Sequence, residues 1–240
     1  MAYCHGVRRS AQETRDLLIS TGIEMLMEQG ATAGVAHVRL KAVVDRAGLT
    51  TGAAYRLWND QDHYHGDLAI AATLWREDRP VSTTIAAIRS LVDAGAPLDE
   101  VIRIAAAAHI ASLTTSPGAT DDGRPIPPHF LTSVALRATT CSDPDLRAAN
   151  LQRHRDQVGH FIELYDKLMG MYGRRCKPPH TVELLASTLA ALGEGFALQV
   201  NEGEHHPMVC GLHPDLDAEW TTFGLAVKAV VDGFTEPVRD

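Results

Sequence analysis

The 240-residue sequence predicts an all-α protein, and three observations carry that expectation. Apolar residues recur at i, i+3, i+4, i+7 through most of the chain, which is the spacing of one helix face. Few segments alternate with the period of two that a half-buried strand needs, and β-branched runs are short. The periodic stretches also stop repeatedly at a helix breaker, as at Gly30, Gly48, Pro80 and Gly95.

The elements follow in order. Ile19, Gly22, Ile23 and Leu26 define a first helix from Thr14 to about Gln29, ended by Gly30. Leu40, Val43, Val44 and Ala47 share one face of a second, short helix. Gly48 then gives the backbone freedom for a sharp turn. Thr50 is placed to cap a third helix with its hydroxyl. That helix begins with small residues, Thr51, Gly52 and Ala53, and carries Tyr55, Arg56 and Trp58 further on. Two short helices around a glycine turn make a helix-turn-helix, whose second helix enters the DNA major groove. Three helices of this size can enclose one small core, and Trp58 is expected to pack there and lock the third helix.

Beyond Tyr64 the periodicity predicts helices over His65–Arg79, Ser82–Asp93, Leu98 to about Thr115, and His129–Thr140. Ser116 to Pro128, rich in proline, reads as a loop. Asp143 and Pro144 start a long helix with Val158, Phe161, Tyr165, Leu168 and Tyr172 along one stripe. Gly173 to Pro179 is a basic connection, and Thr181–Asn201 and Ala218–Phe234 are the last two helices. The expected organisation is therefore a helix-turn-helix domain over residues 1–64, ordered from about residue 12, and a larger all-helical domain over 65–240.

The run Thr14-Arg15, Leu18-Ile19, Gly30, Val43, Arg46-Ala47-Gly48-Leu49-Thr50, Gly52, Tyr55 and Trp58 resembles the N-terminal domain of the tetracycline-repressor (TetR) family of transcriptional regulators over about 50 residues. The resemblance implies a double-stranded DNA operator as partner, with the tyrosine at Tyr55 reaching the DNA backbone. The candidate DNA-binding set is Arg39, Lys41, Thr50, Thr51, Gly52, Ala53, Tyr55, Arg56 and Gln61. The family usually carries a basic residue where Thr51 stands, a hydroxyl residue where Ala53 stands, Phe in place of Trp58 and lysine in place of Gln61. The resemblance further implies a cytoplasmic homodimer in which two C-terminal helices pair with the same two of a second subunit. Leu185, Leu189, Leu192 and Phe196 on one, and Trp220, Phe223, Val227 and Val231 on the other, are the candidate dimer interface. It also implies repression relieved when a small-molecule effector shifts the dimer to a geometry that no longer fits DNA. A ligand can tilt the reading head through the helix that leaves it. Trp75, His109, Leu113, Val134, Arg137, Phe161, Tyr165 and Leu168 are accordingly the candidate lining of a mostly apolar pocket between helices.

Composition narrows the alternatives. No run of 18 apolar residues is present, so no membrane span is expected. The N-terminus lacks the apolar core of a secretory signal. Cys4, Cys141, Cys176 and Cys210 are widely spaced, which suits a reducing compartment. The formal charge is −8, but residues 1–66 hold seven Lys/Arg and seven Asp/Glu, so all the excess acid lies beyond the reading head. No glycine-rich nucleotide loop, GxSxG or HExxH appears, and no catalytic residue, metal site or cofactor is assigned. The cluster His205-His206…Cys210…His213 has metal-binding chemistry at a spacing that matches no structural zinc pattern. A metal-dependent enzyme using that loop, and an all-helical protein with a vestigial DNA-binding head, are the alternatives.

Overall fold

The computed structural model describes residues 9–29, 34–75, 79–114, 128–139, 143–210 and 218–238. Among them are ten helices: α1 (Ala11–Gln29), α2 (Leu40–Arg46), α3 (Thr51–Ala54), α4 (Gln61–Leu74), α5 (Arg79–Asp93), α6 (Leu98–Thr114), α7 (Pro128–Thr139), α8 (Pro144–Met171), α9 (Val182–Asn201) and α10 (Thr222–Phe234). Four short strands accompany them: β1 (Arg174–Cys176), β2 (Met208–Val209), β3 (Trp220–Thr221) and β4 (Thr235–Pro237). β1 pairs antiparallel with β4, Cys176 opposite Thr235, and β2 pairs antiparallel with β3, Val209 opposite Trp220. No helix among the described residues is long and apolar enough to cross a membrane.

The all-α expectation holds, while several boundaries move for local reasons. α1 starts three residues before Thr14 because Ser10 and Glu13 form a capping box. The Ser10 hydroxyl accepts from the Glu13 N–H at 3.1 Å and the Glu13 carboxylate accepts from the Ser10 N–H at 2.6 Å. Those bonds to the charged form hold the Glu13 pKa below the ordinary carboxylate value. α4 begins at Gln61 rather than His65, since Asp60 accepts from the His63 N–H at 2.8 Å. It ends at Leu74, and Pro80 lies in the first turn of α5, where proline's missing N–H has no helical partner to lose. α10 starts at Thr222, capped by the Thr221 hydroxyl, because the residues just before it are paired as β3. The expected stop at Gly30, the loop before Pro128, and Cys4, Cys141 and His213 lie outside the described residues.

The chain forms two compact units. The first comprises residues up to Trp75 together with Pro128–Arg153, so it extends past residue 64 and takes in α4, α7 and the start of α8. Its core joins Leu18, Ile23 and Leu26 of α1, Leu40, Val43 and Val44 of α2, Ala54, Trp58, Tyr64 and Leu68 with Leu136 and Leu146. α4 belongs here because its inward face, Tyr64, Leu68 and Ala72, is buried against that core. At 153, the Arg153 guanidinium donates to the Thr73 carbonyl at 2.9 Å. The second unit holds α5, α6, the rest of α8, α9, α10 and both strand pairs. In it α10 packs on α6 and α9.

Gly22 on α1 faces Tyr64 and Leu68 of α4. A Cβ there would run into the Tyr64 hydroxyl and meet a Leu68 methyl at 3.0 Å. Tyr64 is fully buried, its hydroxyl donates to the Leu18 carbonyl at 3.4 Å, and burial pushes its pKa up. It is too boxed in to yield. Gly22→Ala is therefore expected to lose about 1–3 kcal/mol of stability in denaturant unfolding, against the usual gain from alanine in a helix. An unchanged or raised midpoint would show that α4 can move away from α1.

Candidate nucleic-acid interface

The helix-turn-helix is built by backbone chemistry. At the end of α2 the Gly48 N–H bonds to Asp45 and the Leu49 N–H to Val44, the paired closure of a Schellman motif. Gly48 sits at φ +65°, a left-handed value that favours glycine. The chain thus reverses within three residues and α3 follows at once. Thr50 occupies the N-cap of α3 with extended φ and ψ, but its side chain makes no capping bond. The expectation that its hydroxyl caps α3 is therefore corrected: the Thr50 carbonyl alone takes the first helical bond, from Ala53. α3 is also shorter than the periodicity suggested. Its α-helical residues end at Ala54, and a turn carries the chain to Trp58, whose N–H bonds to the Ala54 carbonyl.

Trp58 ends this segment inside the core, 1% exposed and edge-on to Tyr64 at 5.0 Å. Its indole N–H donates to Asp67 Oδ2 of α4 at 2.6 Å, and Arg15 of α1 donates to the same oxygen at 2.8 Å. One carboxylate oxygen thus ties the end of the α3 turn to α1 and α4, which is the locking role expected of Trp58.

The candidate DNA residues divide by what their side chains do. Thr51, Gly52 and Arg56 are exposed, and Tyr55 is 58% exposed. Arg39 and Lys41 are exposed at the start of α2, while Ala53 is half-buried. Among the described residues the side chains of Arg39, Lys41, Tyr55 and Arg56 have no hydrogen-bond or ion-pair partner. Arg46 on the same motif, by contrast, is committed to Glu28 at 2.6 Å, and Arg15 to Asp67. Three uncommitted cations and an exposed tyrosine therefore stand at the start of α2 and just after α3, a pattern that suits phosphate contact. Gln61 is different. Its amide oxygen accepts from the Leu40 N–H at 3.0 Å and its amide nitrogen donates to the Val38 carbonyl at 3.2 Å, so the side chain is turned into the protein.

The residues expected to line a pocket fall in both units. Trp75, Val134 and Arg137 are in the first, with Trp75 and Arg137 exposed and Val134 half-buried. His109, Phe161, Tyr165 and Leu168 are in the second, and the Leu113 side chain lies outside the described residues. On α8, Phe161 stacks on Tyr165 at 5.8 Å, and burial pushes the Tyr165 pKa up. His109 of α6 lies against Phe223 at 5.3 Å and within 3.4 Å of the Cβ position of Gly193, and burial lowers its pKa.

The expected dimer residues divide by burial. Leu185, Leu189, Trp220 and Phe223 are buried within the single chain. α10 packs on α6 and α9 of its own subunit, and Phe223 joins Phe196 at 5.2 Å and His109 in an aromatic cluster. Those four are intramolecular core, while Leu192, Phe196, Val227 and Val231 remain half-buried. In the His/Cys loop, His206 packs on Phe196 at 4.8 Å and the Cys210 sulfur lies 3.8 Å from a Glu219 carboxylate oxygen. Among the described residues no three His, Cys, Asp or Glu side chains are grouped to hold a metal ion.

No family model matches the sequence, and no curated protein does. Solved structures do match. Escherichia coli NemR in its reduced form is 15% identical, with 94% of this chain covering 99% of that one at a TM-score of 0.52. A TetR-family transcriptional regulator from Cytophaga hutchinsonii is 14% identical, with 98% covering 100% at 0.52. The chain therefore has the all-helical fold of the TetR-family regulators.

The Asp67 tie can be tested directly. Asp67→Ala leaves the buried indole N–H of Trp58 without an acceptor, and is expected to cost about 1–3 kcal/mol in chemical unfolding. Asp67→Asn keeps an acceptor and should cost less. Equal losses for the two would show that packing, not the shared oxygen, holds Trp58.

Proposed function

We propose that this protein is a TetR-like transcriptional regulator that binds operator DNA as a homodimer and is released from it by a small-molecule effector. The observation that carries the reading is the set of exposed, uncommitted side chains around α3: Arg39, Lys41, Tyr55 and Arg56. Each cation neutralises a phosphate and releases a counterion on binding, and α3 lies in the major groove with Thr51 and Gly52 nearest the bases. A pair of such heads on one two-fold axis reads a pseudo-palindromic site.

The symmetry is supplied by the exposed sides of α9 and α10. Leu184, Ala191 and Gly195 on α9, with Ala229 and Gly233 on α10, stand outside the subunit's own core. Added Cβ atoms at Gly195 and Gly233 would meet nothing among the described residues of the subunit. A second copy packs against this surface and adds Leu192, Phe196, Val227 and Val231 to the buried set. The effector site lies in the second unit, where the Phe161–Tyr165 stack supplies apolar contact and His109 a polar group.

Two measurements check this. In selection from a random duplex pool at low salt, the protein should enrich a two-fold symmetric sequence. Affinity should fall with salt at a slope of about −0.9 per phosphate contact, and Arg56→Ala should flatten the slope by about one unit. Enrichment of nothing over random duplex contradicts the regulator reading. For assembly, Ala191→Glu should leave a folded monomer by light scattering, because a buried unpaired charge costs the interface several kcal/mol. Leu189→Glu should instead unfold the subunit. A dimeric Ala191→Glu protein would place the interface elsewhere.

A further inference from the structure

Two side chains of α4, Gln61 and His65, reach back to the segment that starts α2. The Leu40 N–H is one of the donors that every helix leaves without an internal partner at its first turn. Arg39, at the N-cap of α2, offers no side-chain acceptor for it. Gln61 Oε1 accepts that N–H at 3.0 Å. Gln61 Nε2 donates to the Val38 carbonyl at 3.2 Å and lies 2.6 Å from His65 Nε2, which is itself 3.1 Å from the same carbonyl. α2 is thus capped not by its own N-cap residue but by one 21 positions later.

The protons in this cluster can be counted. Gln61 Oε1 faces an N–H, so its Nε2 carries the amide protons toward Val38 and His65. The short Gln61–His65 contact is a hydrogen bond only if His65 Nε2 is unprotonated and accepts. A proton on His65 Nε2 would set two donors against each other at 2.6 Å, and would let the ring donate to the Val38 carbonyl at 3.1 Å in place of the Gln61 amide. Among the described residues no carboxylate or cation from α1, α2 or α4 pairs with His65. Its ring neighbour is Tyr64 at 6.1 Å, and beside Val38 stand His37, with no hydrogen bond on either ring nitrogen, and the exposed Arg39.

We propose that Gln61 and His65 are positioning residues for DNA recognition, a clamp that fixes the start of α2 to α4 and loosens when His65 Nε2 takes a proton. Gln61 on this account contributes by holding the helix-turn-helix in place, not by touching phosphate. The consequence for DNA rests on the operator-binding reading above, but the clamp itself has a readout that does not.

That readout is the protection of the Leu40 amide against hydrogen exchange in the full chain, at about pH 8 and about pH 5.5, which bracket imidazole titration. The wild type should lose protection on acidification. Gln61→Met should lose it at both values, about fivefold, the change expected when one bond worth about 1 kcal/mol is removed. Gln61→Glu should reverse the pH order, because a carboxylate accepts from both the Leu40 N–H and the His65 imidazolium. Adding His65→Phe to Gln61→Glu should abolish the reversal. Duplex affinity at fixed ionic strength should follow the same order. Leu40 protection unchanged in Gln61→Met, or a Gln61→Glu protein with the wild-type pH order, overturns the clamp. If Gln61→Met does not fold, Gln61→Glu alone decides. A wild type that binds no duplex but shows these protection patterns sinks the operator reading and leaves the clamp standing.

Discussion

One carboxylate oxygen, Asp67 Oδ2, is the point on which the helix-turn-helix depends. It accepts from Trp58 after α3 and from Arg15 on α1, while Asp67 itself is part of α4. α3 has only four α-helical residues, too few for a helix to persist on its own propensity. Its orientation must therefore be imposed from outside. Trp58 anchors its far end in the core, the Gly48 turn fixes its near end, and the Tyr64–Gly22 contact sets the spacing of α1 and α4 behind it.

Electrostatics then decides which surface can meet DNA. The chain carries −8 overall, a charge that repels a polyanion, so the proposed binding requires a local exception. That exception is not a large basic patch. It is the difference between cations that are already paired, Arg15 and Arg46, and those that are not, Arg39, Lys41 and Arg56. An uncommitted cation gives its full charge to a phosphate, whereas a paired one must first give up a carboxylate. Gln61 adds no charge to this surface, since its amide oxygen accepts the Leu40 N–H at the start of α2.

How much was legible in the sequence varied with the range of the interaction. The apolar faces of the first two helices, Ile19, Ile23 and Leu26 with Leu40, Val43 and Val44, read directly because helix periodicity is local, and all six are buried. Gly48 and Trp58 read correctly for the same reason. Ser10-x-x-Glu13 and Asp60 were also legible as caps, yet apolar periodicity, which starts later, drew the boundaries inward. The strand pairs could not be seen, because segments of two or three residues are too short to display a period of two. Periodicity also says that a face is covered, not by which molecule. Trp220 and Phe223 therefore looked like interface and are core. The roles of Asp67 and Gln61 depend on partners 9 to 52 residues away, and no local pattern encodes them.

The central claim is that the surface around α3 meets duplex DNA. The most direct test is a hydrogen-exchange footprint of the full chain with and without a bound duplex taken from its best-enriched pool. The account predicts new protection over Arg39–Lys41 and Thr50–Arg56, with the exposed outer face of α1 at Asp16 and Glu24 unchanged. Protection confined to α1, or to the second compact unit, would contradict it.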